Sequence, residues 1–308
     1  MLKWCIIGSG DVVQRLVGNS LEVKNKSRIK CLISKDLSEA NKYAKKFKKI
    51  KTLKANLNNI KKVCLDSEID SIYIATPPNT HFFYISKFCR FKKNIVCEKP
   101  LVIKKKELSD LRILLKKYKF NLFTCFYRRY LKRFIEIKKI LDSKKLGKIL
   151  FFEIKYFHNE KNHPTANISN KKFIPWRFKK SISGGGNIVD MGIHAIDLIN
   201  FFLGDIKKVK AINKNQMKFY NVDDINLVNF ELKNNIVGQG SWCSTAPYKT
   251  DEFKIYGRKG TIKFKMNFGE KDEVEIFLKN KKIKKNISME KPLHKKMLKK
   301  FINELIDL

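Results

Sequence analysis

Nowhere among the 308 residues is there a run of 18 or more apolar residues, which excludes a membrane-spanning helix of ordinary length. The start, MLKWCIIGSGD, has neither the long apolar stretch nor the small-residue cleavage site of an export signal, so a cytoplasmic protein is expected. A disulfide framework is also missing. The seven cysteines (5, 31, 64, 89, 97, 125 and 243) are odd in number and scattered, with no C-x-x-C, and several sit inside apolar strand-like runs such as KWCII and NIVCEK. They read as small buried hydrophobes in a reducing compartment, and no metal site is expected. Acidic residues are few: 29 Asp and Glu stand against 67 Lys and Arg, for a formal charge of +38. That imbalance by itself points to nucleic acid or an anionic membrane. The lysines, however, are spread along the whole chain among interspersed acids, with no basic tail, and Asn, Ile and Phe are abundant beside them. An AT-rich genome produces this composition through its codons. The expectation is no specific nucleic-acid partner and no membrane partner, only polyanion binding that fades with salt. Internal repeats and low-complexity linkers are absent too.

What is present is enough apolar sequence, 43%, to bury a large core, over a length that suits two domains. Up to about residue 125, strands alternate with helices: KWCIIGSG, RIKCLIS, IDSIYIATPP, NIVCEKP and NLFTCF as strands, with DLSEANKYAKKF, THFFYISKFCRF and KKELSDLRILLKKY as helices between them. In the last helix Leu108, Leu111, Leu115 and Tyr118 fall on one side. Asp36 with Glu39 three residues later resembles a capping box. Repeated β-α units of this length mean a doubly wound parallel sheet. Beyond about 145 the pattern changes to GKILFFEIKYF, a polar loop, a glycine-led helix, and alternating runs that turn at Asn234-Asn235 and Lys259-Gly260. Hairpins dominate there, so a mainly antiparallel open sheet is expected. The domains are accordingly 1–125, an α/β nucleotide-type domain, and 126–308, an α+β domain closed by LHKKMLKKFINELIDL.

Gly8-Ser9-Gly10 ends the first strand and opens a helix. A glycine turn there lets the backbone of Gly8, Ser9, Gly10, Asp11 and Val12 approach a pyrophosphate at a helix N-terminus. Val13 stands where the third glycine of G-x-G-x-x-G belongs. At the end of the second strand, Ser34 and Lys35 replace the acid that meets a free ribose 2′-OH. A hydroxyl and a cation suit a 2′-phosphate better, so NADP(H) is favoured over NAD(H). Two further strand ends lie where doubly wound folds bind ligands: ATPPNTHF (75–82), with Thr76, Pro77, Asn79 and His81, and CEKP (97–100), with Glu98 and Lys99. Lys99, held before a proline, is a candidate proton donor or oxyanion partner. Asp190 and His194, four apart behind Gly184-Gly185-Gly186, share one helix face.

These motifs occur in one order: G-S-G, A-T-P, E-K-P, then G-G-G-x-x-x-D-x-G-x-H-x-x-D ending at Asp197. In that order the chain resembles the glucose–fructose oxidoreductase, inositol dehydrogenase and rhizopine catabolism (Gfo/Idh/MocA) family over nearly its whole length. The resemblance implies a hydride transfer between a nicotinamide and a carbinol carbon of a sugar, sugar derivative or cyclitol. It implies that Lys99, Asp190 and His194 meet substrate. It places Trp176-Arg177 near cofactor or substrate, and Arg128 of FYRRY at the domain junction near substrate. It further implies a homo-oligomer built on the second domain's sheet. Many such relatives continue about thirty residues beyond the point matching Leu308, with a helix packed near the nucleotide domain. Two other activities fit the same motifs: a net non-redox or coupled reaction run on tightly held NAD, and dinucleotide-binding regulation without turnover. The loop from His158 to Phe173 is expected to shape the substrate pocket.

Overall fold

Six short strands of the first unit line up as β3-β2-β1-β4-β5-β6, all parallel. They are β1 (Leu2–Ile7), β2 (Ser27–Ser34), β3 (Lys51–Lys54), β4 (Ser71–Ile74), β5 (Asn94–Cys97) and β6 (Leu122–Thr124). The computed structural model describes residues 1–47, 50–159, 174–267, 273–288 and 291–307. It separates into two units, Met1–Tyr127 with Glu290–Leu308, and Arg128–Met289.

The first unit is the doubly wound sheet that its sequence predicts. Strands covered on both faces need continuous apolar side chains, and Trp4, Cys5, Ile6 and Ile7 of β1 are wholly buried. Cysteines serve as core residues: all seven are free, and six are buried. Helices α1 (Leu37–Ala44), α2 (Leu57–Leu65), α3 (His81–Phe88) and α4 (Lys105–Tyr118) connect the strands. On α4 the inward stripe is Leu111, Leu114, Leu115 and Tyr118; Leu108, expected on it, is largely exposed. The capping box at α1 is half formed. Asp36 Oδ1 accepts from the Glu39 backbone N–H at 3.0 Å, but the Glu39 carboxylate accepts instead from the Ser9 hydroxyl at 3.1 Å and the Gln14 amide at 2.9 Å.

The second unit carries an eight-stranded sheet ordered β14-β13-β12-β11-β7-β10-β9-β8. Its strands are β7 (Ile149–Asn159), β8 (Ile206–Lys214), β9 (Ile225–Leu232), β10 (Val237–Cys243), β11 (Thr245–Gly257), β12 (Gly260–Phe264), β13 (Glu273–Leu278) and β14 (Lys281–Asn286). Every pairing is antiparallel except β7 with β10. Both hairpin turns lie where expected, with Asn235 at φ 65° in the first. Helices α5 (Lys132–Asp142), α6 (Lys180–Ser183) and α7 (Ile193–Leu203) belong to the same unit. Phe134 of α5 and Phe202 of α7 pack on Phe264 of β12, and Phe202 also packs on Phe253 of β11. These edge-on rings close one face of the sheet.

The second domain does not run to residue 308. The last helix, α8 (Lys295–Ile306), joins the first unit. Its stripe Met297, Leu298, Phe301, Ile302 and Leu305 is buried, Phe301 stacks on Phe123 of β6 with centroids 4.5 Å apart, and Lys26 donates to Asn303 at 2.8 Å. An amphipathic stripe shows that a helix is covered, not which sheet covers it, so linear order misassigned it.

Candidate active site

The turn after β1 is built so that only glycine fits its first position. Gly8 adopts φ +101°, and a Cβ there would lie 2.7 Å from the Ala75 carbonyl oxygen. Gly8→Ala is expected to cost about 1–3 kcal/mol in backbone strain before that overlap is counted, and to abolish cofactor binding; calorimetry with a cofactor titration checks both. Gly10 has nothing within 4 Å of its own Cβ position, which leaves open space beside the backbone. Among the described residues, the N–H groups of Ser9, Gly10, Asp11 and Val12 donate to no protein acceptor. Open space and four unspent donors fit a dinucleotide pyrophosphate. Val13 is wholly buried, and the chain from Val13 to Val17 is wound as a π-type turn. Ser34 is committed to protein: its hydroxyl is 2.8 Å from that of Ser9 and accepts from the Asp36 N–H. Lys35 is exposed.

At the end of β4, the Thr80 hydroxyl donates to the Pro77 carbonyl at 2.8 Å and lies 2.7 Å from the Thr76 hydroxyl. Asn79 lies in the same short turn. His81 has a different task from the expected cofactor contact. It is fully buried, with Nδ1 2.8 Å from the Pro100 carbonyl and Nε2 2.8 Å from the Thr76 carbonyl. It therefore straps the A-T-P-P turn to the E-K-P strand end. Burial lowers its pKa against the pull of those two carbonyls. Glu98 is buried and accepts from the Tyr73 hydroxyl at 2.7 Å; Lys99 follows it beyond β5.

In the second unit, the three glycines bring the chain hard against its neighbour. A Cβ on Gly186 would lie 2.4 Å from the Asp223 carbonyl oxygen. A π-type turn, Ile188–Gly192, follows and passes into α7; such widened turns recur at functional sites. Asp190 lies in this turn and lines a cleft of about 410 Å³ with His158, Arg177, Asn187 and Asn267 among others. Arg177 Nε is 3.4 Å from Asp190 Oδ2, and its guanidinium lies 4.4 Å over the Trp176 ring. His194 is buried at 3% exposure in the first turn of α7 and is not among the described residues lining the cleft.

Arg128 is employed behind the cleft wall rather than in it. Its guanidinium donates to the Met266 carbonyl at 2.5 Å and to Asn267 Oδ1 at 3.0 Å, and Asn267 in turn donates to the Tyr156 hydroxyl at 2.7 Å. Arg129 pairs with buried Asp197 at 2.7 Å, which gives that motif aspartate a structural task. Burial nevertheless keeps the Asp197 pKa above the usual carboxylate value. His158, the first residue of the expected pocket loop, lines the cleft, whereas sequence reasoning missed Tyr156. They alternate on β7, and that two-residue period was the available signal. Burial lowers the His158 pKa, opposed by its bond to Asn187 and by the Asp190 charge. The remainder of the expected pocket loop, 160–173, lies outside the described residues.

A parallel sheet with an open glycine turn, in a chain that also carries a polar cleft on a second sheet, defines an NAD(P)-binding oxidoreductase. Residues 2–125 match the oxidoreductase family with an NAD-binding Rossmann fold, and residues 134–263 match the GFO/IDH/MocA C-terminal domain. The chain belongs to the GFO/IDH/MocA family of NAD(P)-dependent oxidoreductases. It is 28% identical over 266 residues to Oxidoreductase P35 of Formosa agariphila, covering 85% of this chain and 79% of that one. It is 25% identical over 236 residues to levoglucosan dehydrogenase of Pseudarthrobacter phenanthrenivorans, covering 68% and 58%. The fold is shared with KijD10, a 3-ketoreductase from Actinomadura kijaniata solved with NADP and TDP-benzene. That match has a TM-score of 0.82 at 16% identity and covers 99% of this chain and 90% of that one. A levoglucosan dehydrogenase solved with NADH and L-sorbose gives 0.76 at 22%, covering 93% and 79%. No helix among the described residues is long and apolar enough to cross a membrane.

Proposed function

We propose that this oxidoreductase acts on a carbinol carbon of a sugar, sugar derivative or cyclitol. The observation that carries the reading is the cleft beside Asp190, where Asn187, Asn267, Tyr156 and His158 converge; amides, a phenol and a carboxylate are the donors and acceptors that a polyhydroxylated ligand needs. The names of relatives agree, among them levoglucosan dehydrogenase and scyllo-inositol 2-dehydrogenase. Bound nicotinamide supplies or accepts the hydride. His194 takes the hydroxyl proton in the oxidising direction, Lys99 stabilises the developing alkoxide, and Asp190 orients His194 or the hydroxyl. Asp190 is itself held by Arg177 on the Trp176 face. A panel of sugars and cyclitols followed at the absorbance of the reduced nicotinamide tests the class. Turnover on none of them, with cofactor that cannot be exchanged, would favour the net non-redox alternative.

For the cofactor we propose NADP(H) over NAD(H). With Ser34 committed to Ser9 and Asp36, the preference rests on Lys35; the Glu39 carboxylate at Ser9 works against it. Titration should show tighter NADPH than NADH binding, and Lys35→Ala should weaken NADPH more than NADH. Equal loss of both, or a wild-type preference for NADH, rejects the assignment. The outward face of the second sheet exposes Phe151, Leu227 and Val237, which supports a homo-oligomer through that sheet; light scattering reads its mass. Seven free thiols support a reducing, cytoplasmic setting.

A further inference from the structure

Four polar side chains from separate stretches of the first unit meet where β5 ends, and the chemistry proposed above uses none of them. The Tyr73 hydroxyl on β4 donates to Glu98 Oε1 at 2.7 Å. The same oxygen has Cys125 Sγ at 3.5 Å and His294 Nδ1 at 3.2 Å, and that Nδ1 is also 3.5 Å from Glu98 Oε1. The phenol has one proton and spends it on the carboxylate, so the thiol and Nδ1–H must both donate to it. Burial agrees. It pushes the Tyr73 and Cys125 pKa values up, so both keep their protons, and it pushes His294 down to about 3, so the ring is neutral with a single proton. That proton belongs on Nδ1. His294 Nε2 is buried and has no hydrogen-bond partner among the described residues.

Glu98, Cys125 and His294 also offer three ligand-type atoms within 4.8 Å of one another. The Tyr73 hydroxyl already bridges all three, which is the arrangement of a hydrogen-bond cluster and not of an ion site. The segment that carries His294 reaches further. The His294 N–H donates to the Leu16 carbonyl at 3.2 Å, in the turn that follows Gly10. Pro292 lies 3.6 Å from the Cβ position of Gly18, and the Tyr127 ring packs on the imidazole at 4.7 Å. One short stretch from the end of the chain therefore touches both the glycine-turn helix and the E-K-P strand end.

We propose that His294 is a positioning residue of the cofactor-binding unit: its Nδ1–H fixes Tyr73, Tyr73 fixes the Glu98 carboxylate, and Glu98 fixes the strand end on which Lys99 stands. This rests on the expected place of Glu98 at a ligand-binding strand end and on the proposed role of Lys99 toward the substrate. The test compares His294→Leu, which removes the donor, with His294→Asn, whose amide restores one near Nδ1, and with Tyr73→Phe, which removes a single oxygen and keeps the packing. Each is measured for melting temperature, for NADPH and NADH dissociation constants by fluorescence titration, for kcat and KM, and for metal content. Loss of the bond is expected to weaken both cofactors and lower kcat by about tenfold, with little change in substrate KM. His294→Asn should recover most of that, and Tyr73→Phe should match His294→Leu. If His294→Leu does not fold, the Tyr73→Phe and His294→Asn comparison still decides. Folded variants that bind and turn over like wild type, or failure of folded His294→Asn to rescue, would overturn the proposal. So would one equivalent of zinc in the wild-type protein. A Lys99→Ala enzyme with normal turnover would instead reject the role of Lys99, and the cofactor-affinity readout at His294 would stand apart from it.

Discussion

If His194 is the proton-transfer group, His194→Asn should lower kcat by about 10²–10⁴ while leaving the melting temperature and cofactor affinity near wild type. The expectation rests on a histidine four residues after Asp190, at the point where a widened turn becomes α7. An imidazole can both accept and return a proton, which is what exchange with a substrate hydroxyl requires. Asparagine keeps the size and one donor but cannot exchange a proton, so it separates catalysis from packing. Packing is a serious rival, because His194 is buried. A variant that melts early and turns over normally per folded molecule would return His194 to the core. Lys99→Ala should cause a loss of similar size if its charge serves the developing alkoxide as proposed. The two losses should not add if both groups serve one oxygen. Additive losses in the double variant would mean that the two residues act on separate steps.

Acid should destabilise the protein well above the carboxylate range. Burial lowers the pKa values of His81, His158 and His294 below the ordinary 6.5, that of His294 to about 3. Below pH 6.5 the unfolded chain takes up protons that the folded chain refuses. Stability is therefore complete above that pH and falls as pH decreases toward the folded-state values, by about 1.4 kcal/mol per pH unit for each histidine not yet protonated in the fold. Glu252 and Glu275, whose pKa values are lowered by lysine partners, add their loss only below about 4.5. Asp197, raised by burial, works in the opposite direction. Urea unfolding at pH 8, 7, 6 and 5 reads the slope, and His294→Asn should make it shallower by about one proton. A flat profile from pH 8 to 5 would show that these rings take up protons alike in the folded and unfolded chain.

The architecture was legible because its signals are periodic and local. Buried parallel strands must be apolar where both faces are covered, and Trp4 to Ile7 of β1 and Ile72 to Ile74 of β4 read that way. Half-solvated strands must alternate, as β9 does from Val228 to Leu232. The glycine turn was legible because φ +101° beside a carbonyl admits one residue type. The Asp190 cleft was legible only in part. Asp190 and Arg177 belong to motifs, but Tyr156 and His158 enter through the face that β7 happens to bury.

By itself, then, the sequence determined the two sheets, the glycine turn after β1, and the order of motifs that marks the family. Partnership between distant residues was decided by tertiary structure. Arg128 became a brace for Asn267, His81 a strap between two strand ends, and His294 a neighbour of Tyr73 from 221 positions away. The end of the chain joined the first unit instead of the second. The physical reason is common to all four. Local pattern records how much of a side chain must leave water, whereas the hydrogen-bond partner that makes its burial tolerable is supplied by whichever segment the fold brings there.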